Sequence, residues 1–78
     1  MINMKNVKFT HIALGSSKNV AIAHIYKQDN PTQIHEYAVV KNPDLDENSK
    51  WHGTWGYSLG YYKNYDDAVQ KFNDYMKK

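Results

Sequence analysis

The chain has no cysteine, so neither a disulfide framework nor a thiolate metal site can supplement whatever core it builds. It has no arginine either: the ten basic residues are Lys5, Lys8, Lys18, Lys27, Lys41, Lys50, Lys63, Lys71, Lys77 and Lys78. Arginine supplies the planar fork that reads guanine and grips phosphate at two points. Its absence argues against base-specific recognition of a duplex, although lysine still serves as a point charge. Long apolar runs are missing as well. Met1 to Phe9 alternates polar and apolar residues, without the apolar stretch of about 7 to 15 residues that a signal peptide needs, and no later segment is long enough to span a membrane. These absences predict a soluble, cytoplasmic protein with no membrane partner. With 78 residues there is room for one domain, residues 1–78, which buries only about 60 to 65% of its unfolded surface. Its stability is then on the order of 4 to 12 kcal/mol, which leaves little tolerance for a deep pre-formed cleft lined with unpaired polar groups.

What is present reads as strands followed by one helix. Val7 to Leu14 carries β-formers and ends at Gly15, Ser16, Ser17 and Lys18, which have turn chemistry. Val7 and Phe9 share one parity while Ile12 and Leu14 share the other, so a bulge or a two-sided strand is expected near His11. Val20 to Lys27 is apolar on both parities, the pattern of a central strand covered on both faces. Pro31 sits in the polar run from Gln28 to Thr32, which predicts a hairpin turn. Gln33 to Lys41 is a third strand, and Asn42 to Lys50 a long polar loop with little to offer a core. Trp51 to Lys63 alternates heavy and bare residues: Trp55, Tyr57, Leu59 and Tyr61 on one parity, Gly56, Ser58 and Gly60 on the other.

Asn64 then suits a helix N-cap, with Asp66 and Asp67 favouring the positive end of the helix dipole. Tyr65, Ala68, Val69, Phe72, Tyr75 and Met76 form an apolar stripe, and the pairs Asp67 with Lys71 and Asp74 with Lys78 have acid-first i, i+4 spacing. A helix of about 14 residues is marginal alone and must dock on the sheet. The fold class is therefore α+β: a three- to four-stranded antiparallel meander with a C-terminal amphipathic helix on one face (ββββα). The bare face of strand four is the expected seat of the helix.

The usual chemical signatures are incomplete. Asp44, Asp46 and Asn48 begin like a calcium loop, but that template requires glycine at its sixth position and a bidentate glutamate at its twelfth, where this chain has Ser49 and Trp55. His11, His24, His35 and His52 lie on strands or at a strand edge, with no i, i+2 or i, i+4 pair and no matching carboxylates to make a metal set. Ser16 and Ser17 lack a nucleophile elbow or a recognisable triad order. Glu36 points to the strand face opposite His35, and no carboxylate pair has glycosidase-like placement. Gly15 to Lys18 offers a small backbone nest for an anion without the P-loop pattern, which reads more simply as a hairpin turn. No enzyme activity, cofactor or metal is expected.

Strand four is the candidate site. A single helix cannot hide Trp51, Trp55, Tyr57, Tyr61 and Tyr62 together with Tyr26 and Tyr37, and exposed Tyr and Trp are the residues that anchor protein interfaces. Trp51, Trp55, Tyr57, Tyr61, Tyr62 and Lys63 are accordingly the expected partner-binding residues. The segment Gly53 to Phe72, reading G-T-W-G, then G-Y-Y, a polar turn and an acidic helix start leading to Ala68 and Phe72, resembles short uncharacterised proteins of low-GC Gram-positive bacteria and their phages. In these, a strand of the form W-x-x-G-x-Y-F precedes a helix of the form A-x-x-x-F. The resemblance covers about the C-terminal third. It implies a phage or mobile-element setting, in which small non-enzymatic proteins block host defence or regulate host machinery.

The first expectation is thus a protein-binding module whose partner is a protein. The alternative is a single-strand-type nucleic-acid binder without sequence specificity, with Tyr and Trp stacking bases and Lys8, Lys27, Lys41 and Lys63 following phosphates. Self-association through an uncovered sheet edge is a third reading.

Overall fold

The computed structural model describes residues 6–15, 18–48 and 50–77. It contains β1 (Val7–Ala13), β2 (Val20–Tyr26), β3 (Ile34–Lys41), β4 (Tyr57–Tyr62) and α1 (Tyr65–Met76). The strands form one antiparallel sheet in the order β1-β2-β3-β4, the expected ββββα arrangement. Among the described residues no helix is long and apolar enough to cross a membrane. Ser16, Ser17, Ser49 and Lys78 lie outside the described residues, and with them the expected anion nest, the sixth position of the calcium-like loop and the Asp74–Lys78 pair.

The central strand explains the architecture. In β2, Val20, Ala21, Ile22 and Ala23 are all fully buried, because their two parities enter two separate cores. On one face Val20 and Ile22 join Val39 and the helical Ala68 and Phe72, with Leu59, Tyr62, Val69 and Tyr75 packed around them. On the other, Ala21, Ala23 and Ile25 join Val7, Ala38, Val40 and Trp51, with Phe9, Leu45 and Trp55 alongside. Complete burial of a valine or isoleucine stabilises by about 1.5 to 3 kcal/mol, so β2 and β3 carry much of the folding free energy of so short a chain.

The helix accounts for the first core only; residues 42–56 cover the second. This corrects the expectation that Asn42 to Lys50 has little to offer a core and that Trp51 opens a strand. Pro43 is buried, Leu45 and Trp51 face each other in an isolated antiparallel bridge, and backbone bonds run from Asp44 N–H to Thr54 O (3.0 Å), from His52 N–H to Asp44 O (2.9 Å) and from Asp46 N–H to Lys50 O (3.0 Å). Asp46 Oδ1 accepts from the N–H groups of Asn48 and Lys50, each at 2.9 Å. The polar residues that gave the segment its loop character thus build a tight turn that carries Leu45 and Trp51 onto the sheet.

Both sheet edges are irregular. In β1 the pairing shifts between Thr10 and Ala13, and His11 sits there at φ 53°, a left-handed conformation uncommon outside glycine. The expected parity slip is therefore a bulge. In β4 the register passes from Val39 opposite Gly60 to Val40 opposite Ser58, leaving Leu59 as the extra residue.

The helix starts at Tyr65, as expected, and runs for 12 residues. Asn64 occupies the N-cap position, but its side chain makes no capping bond; its Nδ2 donates to Asp67 Oδ2 at 3.4 Å instead. No basic residue occupies the last turn. Two lysines from the sheet side stand there in its place, Lys18 Nζ at 4.9 Å and Lys41 Nζ at 5.0 Å from the centre of the Tyr75 ring. Cations near a helix C-terminus are favoured by its dipole, and both gain the attraction of the ring.

Candidate functional site

The β4 bulge decides how the expected binding residues are distributed. Residues paired across a sheet share a face, so Ser58 and Tyr61, opposite Val40 and Ala38, belong to the face under the tryptophan loop. Tyr57, opposite Lys41, and Tyr62, opposite Tyr37, belong to the helix side. The strict alternation of Trp55, Tyr57, Leu59 and Tyr61 on one side does not hold, because one extra residue reverses the parity of everything beyond it. Leu59 accordingly packs in the helix-side core.

The bare parity has a different explanation from the one expected. A Cβ on Gly60 would come within 2.5 Å of the hydroxyl oxygen of Tyr62 and 2.8 Å of its Cζ. A Cβ on Gly56 would meet Asn42 Cβ and Lys41 O at 3.2 Å. Gly60 is small because the Tyr62 ring folds back over its own strand, and Gly56 because the chain entering β4 passes close to the end of β3. Of the three small residues only Gly60 lies on the helix side, and Ser58 lies on the other.

The two tryptophans are largely committed to the fold. Trp51 is only 7% exposed; its indole Nε1–H donates to Thr54 O at 2.7 Å, and its ring stacks on Trp55 with centres 5.5 Å apart and planes inclined by 21°. Phe9 presents an edge to both, at 5.4 Å and 6.5 Å. Trp51 is therefore a core residue, and Trp55 is half-buried beside it. Tyr62 is half-buried. Lys63 Nζ donates to His35 O at 3.2 Å and lies 3.9 Å from Glu36 Oε1. At that separation, with the Lys63 side chain largely in solvent, the pair contributes little to stability.

Tyr57 and Tyr61 remain, 55% and 54% exposed. Tyr61 is oriented by Ser58, whose hydroxyl donates to the Tyr61 hydroxyl oxygen at 2.9 Å. Tyr57 stands beside Lys41. The ion pairs among the described residues are His52–Asp46 and Lys63–Glu36, and neither includes Lys41 or Lys18. The surface around Tyr57 is thus aromatic and basic, whereas that around Tyr61 is aromatic and hydroxylic. Composition pointed to both tyrosines; their division between two faces depends on the bulge at Leu59, which small neighbours on either parity conceal in the sequence.

Among the described residues no group of three or more His, Asp or Glu side chains is placed to hold a metal ion. Two of the four histidines do converge. His24 Nε2 is 2.6 Å from Thr10 Oγ1, and His11 Nδ1 is 3.1 Å from the same oxygen. Burial pushes the His24 imidazole below the ordinary histidine value, with the charge of His11 acting in the same direction. The Asp46 carboxyl is likewise held below the usual carboxylate value, first by the Lys50 N–H bond, with the Asn48 N–H and His52 adding to it against the opposing effect of burial. Comparison with protein-family models, with curated proteins and with solved structures finds no match for this chain.

Proposed function

We propose that this chain is a non-enzymatic protein-binding module that contacts its partner through β4, with Tyr57 and Tyr61 as the aromatic anchors and Lys63 beside them. The observation that supports this reading is the exposure of both tyrosines on one edge strand, while Trp51 and Tyr62 of the same segment are taken up by the fold. Tyrosine combines a large apolar area with a polar tip and few rotatable bonds, which is why it recurs at interface hot spots. Lys41 beside Tyr57 favours a partner with acidic residues at that end. The resemblance of Gly53 to Phe72 suggests that such a module, borne by a phage or mobile element, inhibits or modulates a host protein.

The test separates binding from folding. Tyr57→Ala and Tyr61→Ala should preserve the circular dichroism spectrum and thermal midpoint yet weaken retention of a host protein on immobilised chain by about tenfold or more each, the scale of an interface hot spot. Retention unchanged in both variants would remove β4 as the binding surface. A second reading, single-strand nucleic-acid binding, draws on the same Tyr57 and Lys41 with Lys18 nearby. Titration of labelled single-stranded DNA at about 50 mM and about 200 mM salt addresses it, since phosphate contacts are strongest at low salt.

A further inference from the structure

The start of α1 rests on an unusual group of rings. Tyr65, the first helical residue, lies 5.9 Å from His11, 5.6 Å from His24 and 5.5 Å from Tyr37, measured between ring centres. His11 also meets Phe72 at 5.4 Å, and His24 meets Tyr37 at 5.1 Å. His11 reaches this position because of its left-handed backbone in the β1 bulge. Retention of such a conformation by a histidine requires compensation from its surroundings, here two aromatic contacts and the Thr10 hydroxyl. Both imidazoles therefore bind one hydroxyl from beneath the first turns of the helix.

That hydroxyl has a single proton. Only one of the two ring nitrogens it bridges can accept that proton, and a ring nitrogen that does not accept it donates to the oxygen, which has two lone pairs. In the tautomer in which His24 Nε2 accepts the Thr10 proton across 2.6 Å, His11 Nδ1–H donates to Thr10 Oγ1 at 3.1 Å. A proton added at His11 Nε2 leaves this chain of bonds intact. A proton added at His24 Nε2 does not: the hydroxyl must turn its own proton away and accept from both rings, with two positive charges flanking one oxygen. We propose that His11, Thr10 and His24 form a proton-operated latch for the first turn of α1, keeping their bonds when one proton arrives and releasing Tyr65 when the second does.

The surroundings set the direction of the response. From β1, Lys8 stands opposite His24 in the register, with its ammonium 5.6 Å from the centre of the Tyr26 ring. From β2 and β3 the facing titratable groups are the phenols Tyr26 and Tyr37, and from β4 it is Tyr62, paired with Tyr37. From α1 come Tyr65 and the first-turn carboxylates Asp66 and Asp67, of which Asp67 is drawn to Asn64. Desolvation and the charge of His11 both lower the His24 pKa. With the folded value below the unfolded one, the stabilisation is complete above the unfolded value of 6.5 and is lost as pH falls from there through the folded value.

Proton NMR titration of the imidazole Cε1–H signals, combined with amide hydrogen exchange between pH 7.5 and 5, tests the latch. His24 should titrate below the ordinary histidine value. Exchange of the amides from Ala68 to Phe72, which donate within the helix from Ala68 N–H to Asn64 O onward, should accelerate several-fold as it does so once corrected for its intrinsic pH dependence. His24→Phe keeps a ring against Tyr37 and Tyr65 and should abolish that acceleration. Thr10→Val keeps the shape of the strand and should uncouple the His11 and His24 titrations, so it decides the matter if His24→Phe does not fold. Acceleration that persists in the folded variants, or that begins only in the carboxylate range, would overturn the proposal.

Discussion

The two faces of this sheet are buried to the same depth by unlike means. On one side, Ala68 and Phe72 of a regular helix close over Val20, Ile22 and Val39. On the other, an irregular 15-residue connection from Asn42 to Gly56 brings Trp51, with Leu45 and Trp55, over Ala21, Ala23, Ala38 and Val40. The helix satisfies its own backbone and needs the sheet only for its apolar stripe. The connection must build its backbone pairing case by case, and does so with Asp46, the Leu45–Trp51 bridge and the Trp51 indole bond to Thr54. A second layer therefore does not require a second regular element, provided a few side chains satisfy the chain that carries the anchor.

If the two faces are equivalent in weight, losing the main anchor of either should cost about the same. Phe72→Ala and Trp51→Ala should each destabilise by about 3 to 5 kcal/mol in urea unfolding, the range for truncating a large buried aromatic. A much smaller loss for Trp51→Ala would show that residues 42–56 cover the sheet without stabilising it. A smaller effect distinguishes the two sides of β4. Gly60→Ala displaces the Tyr62 ring from the helix-side surface and should cost about 1 to 2 kcal/mol, the lower part of the overpacking range, because a side chain can yield where backbone cannot. In a Tyr62→Leu background the cost of Gly60→Ala should largely vanish, and persistence there would mean that something other than the ring requires glycine.

The smallest effects should separate the faces by pH. The helix side depends on neutral His24, so it weakens as pH falls below 6.5. The loop side depends on ionised Asp46, whose folded value is depressed. Its contribution is present above the ordinary 3.8 and is lost as pH falls from there through the folded value. Amide exchange near Trp51 should consequently stay flat while that near Tyr65 rises, and change only in stronger acid. Asp46→Asn should remove the second response and leave the first.

The helix face was readable because periodicity is a property of neighbouring residues: Ala68 and Phe72 recur at helical spacing, and the two-sided apolar pattern of β2 announced burial on both faces. What covered the second face was not readable. Leu45 and Trp51 meet only after a turn made by Asp46, and a polar turn that ends in a buried bridge has the same composition as one that ends in water. The β1 bulge showed as a parity slip around His11, whereas the β4 bulge was hidden because Ser58 and Gly60 are small on either parity. The candidate site inherits this division. Tyr57 and Tyr61 could be chosen as interface residues by type, but withdrawing Trp51 from the surface required the bridge, and placing the tyrosines on opposite sides required the register.

The stacked indoles have a practical consequence. The chain contains two tryptophans, and both belong to the loop face, so tryptophan emission observes one half of the molecule and is nearly blind to the other. Far-ultraviolet ellipticity, dominated by α1, observes the complementary half. A single sample thus contains two independent optical reporters, and whether their transitions coincide measures directly how strongly β2 and β3 couple the two layers they separate.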